Sequence, residues 1–212
     1  MAYDLEEQEQ LATLRAFWKQ YGTLLMTVVT VVLLAIAGWR AWGWYQARDA
    51  AEAAVVYEQL QVAVRERAPD RVKAVVGTLV ERHARTDFAA MGALLAARSH
   101  LEAGDPKSAR PLLQWVLDKG PDEGMRELAR VRLAGLLLDE KAYDEGLKLL
   151  SGTAPARFVA DWADRRGDLL LAQGKTEEAR AEYKIALDKA EAGAPMRRVI
   201  QLKLDALGGS SS

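Results

Sequence analysis

The chain has no cysteine, and this removes thiol nucleophiles, disulfides and thiolate metal sites together. It leaves the compartment open, since a cysteine-free domain is stable on either side of a membrane. His83 and His100 are the only histidines, too few for a His-rich metal site, and both fall in helical stretches where surface roles are ordinary. Ser99 adjoins His100, but neighbours on a helix point about 100° apart and do not make a dyad. A glycine-rich phosphate loop is missing, and Arg165-Arg166 and Arg197-Arg198 read as solvated helix faces. Charge of one sign is also missing. The formal net charge is −1, so the chain lacks the basic field that draws a protein to nucleic acid. Acidic residues alternate with Lys and Arg as ordinary surface pairs do. No cofactor, metal or catalytic constellation is expected, and a membrane-tethered enzyme would need a polar cluster that the sequence does not display. Strand patterning is absent too: apolar residues recur at three and four positions rather than two, which reads as an all-α chain.

The most prominent feature present is QYGTLLMTVVTVVLLAIAGW, Gln20 to Trp39, with no charged residue between Lys19 and Arg40. A bilayer core is about 30 Å thick and a helix rises about 1.5 Å per residue, so about twenty apolar residues cross it. Phe17, Trp18 and Tyr21 precede the run, and Trp39, Trp42, Trp44 and Tyr45 follow it. Amphipathic rings gather in this way at the two membrane interfaces, where Arg15, Lys19, Arg40 and Arg48 extend their charges into the lipid headgroups. A cleaved signal peptide fits poorly, because the run is too long and a tryptophan cluster separates it from the small-x-small site at Ala51 and Ala53. A buried core helix would show a polar face. Arg15 and Lys19 before the span balance Arg40 and Arg48 after it, so charge leaves orientation open. Ala35, Ala37 and Gly38 do not form a GxxxG packing motif.

The expected organisation is a tail over 1–19, a transmembrane helix with its aromatic flank over 20–45, a helical repeat domain over 46–207 and a flexible tail over 208–212. The alanine- and glutamate-rich stretch Ala47 to Arg67, with Ala54, Val55, Leu60, Val62 and Val64, continues the membrane helix, and Pro69-Asp70 opens the next helix. Beyond Asp87 short breaks recur at Gly104-Asp105-Pro106, Gly120-Pro121, Glu140-Lys141, Gly152 to Pro155, Gly174 and Gly193 to Pro195. Gly167, Gly174, Ala179, Tyr183 and Ala186 stand at the spacings of a tetratricopeptide repeat, where small residues let two helices touch and an aromatic fills the next gap. Earlier registers follow at Ala134, Gly146 and Leu150, and at Ala97, Gly104, Ala109, Leu113 and Pro121. Ala74 marks a still earlier, degenerate pair. The competing reading is a generic helical bundle in an alanine-rich chain. Pro195 to Leu207, with Val199, Ile200, Leu202 and Leu204, is expected to cap the open end.

The repeat register assigns the lining of a groove: Met91, Leu94 and Leu101 from one repeat, Leu128, Val131 and Leu138 from the next, and Asp161, Asp164 and Asp168 from the last. Such a groove holds an extended or helical apolar segment of another protein, with the aspartates answering its basic residues. The alternative is that the leucines pack on the chain's own helices and the aspartates are solvated.

An acidic head, the FWKQYG lead-in, a span ending GWRAWGWYQ, an alanine-rich helix with Tyr57, and degenerate repeats together resemble the YfgM-type ancillary subunit of the Sec translocon. The most telling piece is the Gly38-Trp39-Arg40 turn into Trp42, followed by Ala51 to Tyr57. The resemblance implies a bacterial inner-membrane protein with a cytoplasmic N-terminus and a periplasmic repeat domain. It implies as partners the translocon channel subunits, a membrane-anchored periplasmic chaperone and exported client proteins, with a link to envelope stress signalling. The alternative function is a cell-envelope scaffold, structural or signalling, that binds no clients.

Overall fold

The computed structural model describes residues 2–208, with side chains from Glu9 onward. Among the described residues there are nine α-helices, one short 3₁₀ turn and no strand. The chain divides into two compact units, Met1–Asp49 and Ala50–Ser212. The expected 209–212 part of the tail, and the side chains of the acidic head, lie outside the described residues.

Helix α1 spans Ala2–Arg65, so Gly38, Trp39 and Arg40 lie inside a continuous helix and not at a turn. In the first unit its apolar side chains are exposed all round, from Leu24 and Leu25 to Trp44 and Tyr45. The segment is long and apolar enough to cross a membrane. Its threonines are satisfied locally. The Thr27 hydroxyl donates to the Thr23 carbonyl at 2.8 Å and Thr30 to Met26 at 2.8 Å, so these two hydroxyls need no water in a hydrocarbon environment.

The second unit is a series of antiparallel helix pairs. Its helices are the end of α1, α2 (Pro69–Arg82), α3 (Asp87–Glu102), α4 (Pro106–Lys119), α5 (Glu123–Asp139), α6 (Tyr143–Leu149), α7 (Val159–Ala172), α8 (Thr176–Lys189) and α9 (Pro195–Ala206). One turn recurs four times. Arg67, Gly104, Lys141 and Gly174 all have positive φ, and in each the following N–H bonds a carbonyl five residues back: Ala68 to Ala63, Asp105 to His100, Ala142 to Leu137 and Lys175 to Leu170. This closes a helix with a left-handed residue and satisfies its last carbonyls. The pair with the least sequence signal, α1 with α2, therefore uses the same turn as the others.

Counting from that turn fixes the register. Five residues on stand Val72, Ala109, Gly146 and Ala179, and nine residues on stand Val76, Leu113, Leu150 and Tyr183. Of these, every non-glycine side chain is buried. Ala74 is exposed, which corrects the expectation at that position: Val72 fills the small-residue place of the first pair, and Ala74 points to solvent. At the last pair a close approach requires glycine, since a Cβ on Gly167 would lie 2.6 Å from Tyr183 Cε1. Helix α6 is only half the length of α4 and α8, and the chain leaves it through Gly152, with φ 88°, and Pro155.

Helices α5 and α7 are joined by a buried polar group. Glu127, 7 % exposed, accepts from Trp162 Nε1 at 3.1 Å and from Arg130 Nε at 3.2 Å. The Arg130 guanidinium also sits 5.4 Å from the Trp162 ring centroid and donates to the Leu149 carbonyl. A buried carboxylate needs such compensation. At the end of the series α9 buries Ile200 and Leu204, while Val199 and Leu202 are 51 % and 63 % exposed. Capping is thus done by half of the apolar residues expected to do it.

Candidate functional site

In the first unit, Trp18, Tyr21, Trp39, Arg40, Trp42 and Trp44, the residues expected at the membrane interfaces, are all exposed. The Phe17 and Tyr21 rings meet at a tilt, 5.2 Å between centroids, and those of Trp42 and Tyr45 likewise at 6.3 Å. Arg48 lies 5.9 Å from the Trp44 ring centroid. Two aromatic-basic girdles thus bracket the apolar stretch.

In the second unit, the residues expected to line a groove fall on α3, α5 and α7, at spacings that put each set along one side of its own helix. On α3, Met91 and Leu101 are exposed while Leu94 is buried. On α5, Leu128 is exposed at 37 %, and Val131 and Leu138 are half-buried. The apolar face is therefore mixed: Leu94 belongs to the core, and Met91, Leu101 and Leu128 remain available.

The three aspartates of α7 are half-buried rather than free in solvent. Lys203 of α9 reaches Asp164 and Asp168, each at 2.7 Å. Asp168 also accepts from the Tyr183 hydroxyl at 2.8 Å and pairs with Arg165 at 3.2 Å. Burial raises the Asp164 pKa, partly offset by Lys203. Burial likewise raises that of Asp161, with the Asp164 charge adding to it. The same burial, with the Asp168 hydrogen bond and charge, raises the Tyr183 phenol. Two of the three acids thus have internal work, holding α7, α8 and α9 together.

The same three helices carry arginines at the period of the repeat. Arg98 on α3, Arg132 on α5 and Arg165 on α7 recur one repeat apart, at 34 and then 33 positions. On a helix at 3.6 residues per turn, each sits one turn beyond the groove residues Leu94, Leu128 and Asp161 respectively. Arg132 is half-buried and leans its Nη1 toward the Leu94 carbonyl at 3.5 Å. Burial lowers its pKa, and the Arg98 charge lowers it further. Arg165 lies flat against Gly135 of α5, where a Cβ would meet its Cζ at 3.2 Å. The period of the repeat was the signal that could have found this row.

Stacked helix pairs with a common turn, a common small-residue contact and a solvent-facing row on their first helices define an α-helical repeat protein of the tetratricopeptide kind, here with a long apolar N-terminal helix. The tetratricopeptide repeat-like domain family matches residues 15–209. The chain is 33 % identical over 211 residues to the ancillary SecYEG translocon subunit of Neisseria gonorrhoeae, covering 98 % of this chain and all of that one. It is 26 % identical over 201 residues to the protein of the same name from Escherichia coli, covering 95 % and 96 %. The Haemophilus influenzae protein of that name is 26 % identical over 186 residues, 88 % and 91 % of the two chains. The chain belongs to this family of ancillary translocon subunits with a tetratricopeptide repeat-like domain. No solved structure matches it.

Proposed function

We propose that the chain is a single-pass inner-membrane protein that attaches to the Sec translocon and presents its repeat domain to polypeptides in the periplasm. The observation that carries this reading is the near end-to-end match to proteins named ancillary SecYEG translocon subunit, and the bracketed apolar helix supports it. The span confines the domain to the membrane surface, which raises its effective concentration near membrane-bound partners. The N-terminus lies in the cytoplasm. Met91, Leu101, Leu128 and Val131 contact the partner segment, and a membrane-anchored periplasmic chaperone and newly exported proteins are the partners expected there. No chemistry is required, because a repeat face offers binding area alone.

Two measurements test it. A chain without cysteine accepts single reporter cysteines cleanly, so Ser151→Cys and Ala12→Cys in intact cells report sidedness through a membrane-impermeant maleimide. Labelling of the first and not the second is expected; the reverse refutes the orientation. Photocrosslinkers from Leu24 to Trp44 are expected to capture channel subunits. Capture of envelope proteins alone, with none of the channel, removes the translocon reading and leaves an anchored scaffold.

A further inference from the structure

We propose that the face shared by α3, α5 and α7 receives an apolar polypeptide segment whose acidic side chains pair with Arg132 and Arg98. The inference rests on the partner-binding reading above and reverses the charge expected of the segment.

The argument begins with the acids. Asp164 and Asp168 are already neutralised by Lys203, and Asp168 by Arg165 as well, so they offer little to a basic visitor. The arginines are less well served. Among the described residues no carboxylate pairs with Arg132; its only hydrogen-bond acceptor is the Leu94 carbonyl, at 3.5 Å, the limit of such a bond. A half-buried guanidinium without an acid has forfeited part of its hydration and gained little in return. The carbonyl it leans on stands one helical turn before Arg98 on α3, so a like charge lies beside it. Arg98 does meet Glu102 at 2.7 Å, but that pair is 69 % and 62 % exposed, an arrangement of small net value that a better-placed carboxylate can replace. A visiting carboxylate between the two guanidiniums would relieve both the repulsion and the lost hydration.

The surroundings select what carries the carboxylate. Met91 and Leu101 lie on either side of Arg98 along α3, and Leu128 lies one turn before Arg132 on α5; all three are exposed. A small free anion would leave these apolar groups in water. A polypeptide with leucine-like residues on both sides of a glutamate or aspartate covers them, and flanking on both sides favours an internal segment over a chain terminus.

The test uses the full chain in detergent micelles and a fluorescent peptide of leucine and glutamate, acetylated and amidated so that its only carboxylates are side chains. A counterpart carries lysine for every glutamate. The glutamate peptide is expected to bind with a salt-sensitive affinity, and Arg132→Ala to weaken it about tenfold or more, as loss of a charge-assisted, partly desolvated contact does. Arg98→Ala weakens it less, and Arg132→Lys retains part of the affinity because it keeps the charge and loses the fork. Tighter binding of the lysine peptide, or affinity unchanged by both Arg132→Ala and Arg98→Ala, overturns the proposal. If Arg132→Ala unfolds by circular dichroism, the exposed Arg98→Glu carries the same two outcomes. A photocrosslinker at Leu128 separates this inference from the reading it rests on. Capture of a channel subunit or exported protein equally in wild type and arginine variants leaves that reading and removes the acidic specificity. If the Leu128 probe captures neither and no peptide binds, both fall.

Discussion

Replacing Gly167 by alanine sets two opposed effects against each other, and the structure decides between them. Alanine gains about 1 kcal/mol over glycine in a helix interior. The new methyl would lie 2.6 Å from Tyr183 Cε1 and 2.7 Å from Cδ1, well inside van der Waals contact. The ring has nowhere to retreat: it is 1 % exposed, its hydroxyl donates to Asp168 at 2.8 Å, and Lys203 sits 5.3 Å from its centroid. Overpacking of this kind costs about 1–3 kcal/mol, so Gly167→Ala should destabilise by about 1 kcal/mol net, or about 2–4 °C in melting temperature for a chain of this size. Gly77 in α2 is the control, since a Cβ there meets nothing within 4 Å. Gly77→Ala should raise the melting temperature by a similar amount. Thermal unfolding of the full chain in detergent, followed by circular dichroism, measures both. If Gly167→Ala is as stabilising as Gly77→Ala, Tyr183 does not pack on Gly167 and the repeat register of α7 and α8 is wrong. Coupling confirms the cause: in a Tyr183→Leu background the penalty of the methyl should shrink.

Lys141 holds with a side chain the left-handed turn that glycine makes at 104 and 174, so Lys141→Gly should stabilise by about 0.5–1 kcal/mol in the same assay. Asp161 has a pKa raised above the ordinary carboxylate value by burial and by Asp164. The folded state therefore favours its protonated form, and Asp161 costs stability above the raised pKa and ceases to do so below the unfolded value. Asp161→Asn should accordingly raise the melting temperature at neutral pH and lose that advantage as pH falls below the ordinary carboxylate range; a gain that persists in acid refutes the burial argument. Val29→Arg places a charge near the middle of the apolar run, at a cost of about 2.5–3.5 kcal/mol for insertion, and should raise the fraction of chain extracted by alkaline carbonate.

The parts legible in the sequence were those in which a side chain's own chemistry marks its place. Apolar length and flanking tryptophans marked the N-terminal helix; Gly104 and Gly174 marked turns because glycine takes positive φ without strain. Arg67 adopts the same backbone without glycine or any break to mark it, which is why the sequence points to Ala74 for the first pair rather than to Val72, five residues beyond the turn. Alanine was a poor guide there, being compatible with contact and solvent alike. The Glu127, Arg130 and Trp162 group was invisible for a different reason. Its charged members read as an ordinary surface pair three residues apart, and only the approach of α7 makes Glu127 a buried acceptor.

The candidate face shows the same limit in its electrostatics. Counting residue types along the first helices gives leucines ending in an acid stripe, but charge available to a partner is what remains after internal pairing. Lys203 comes from α9, 35 positions beyond Asp168, and cancels acids that look free in the linear sequence. Arg132 is the opposite case: among the described residues no carboxylate pairs with it, and it leans on the Leu94 carbonyl, one turn from Arg98 on another helix. On this reading an anion-seeking site arises from a sequence of nearly zero net charge, because packing spends Asp164 and Asp168 internally and leaves Arg132 without an acid. The sign of the partner is set by which charges the fold leaves unpaired, and for that reason a peptide pair differing only in glutamate against lysine discriminates more sharply than any change to the apolar residues beside them.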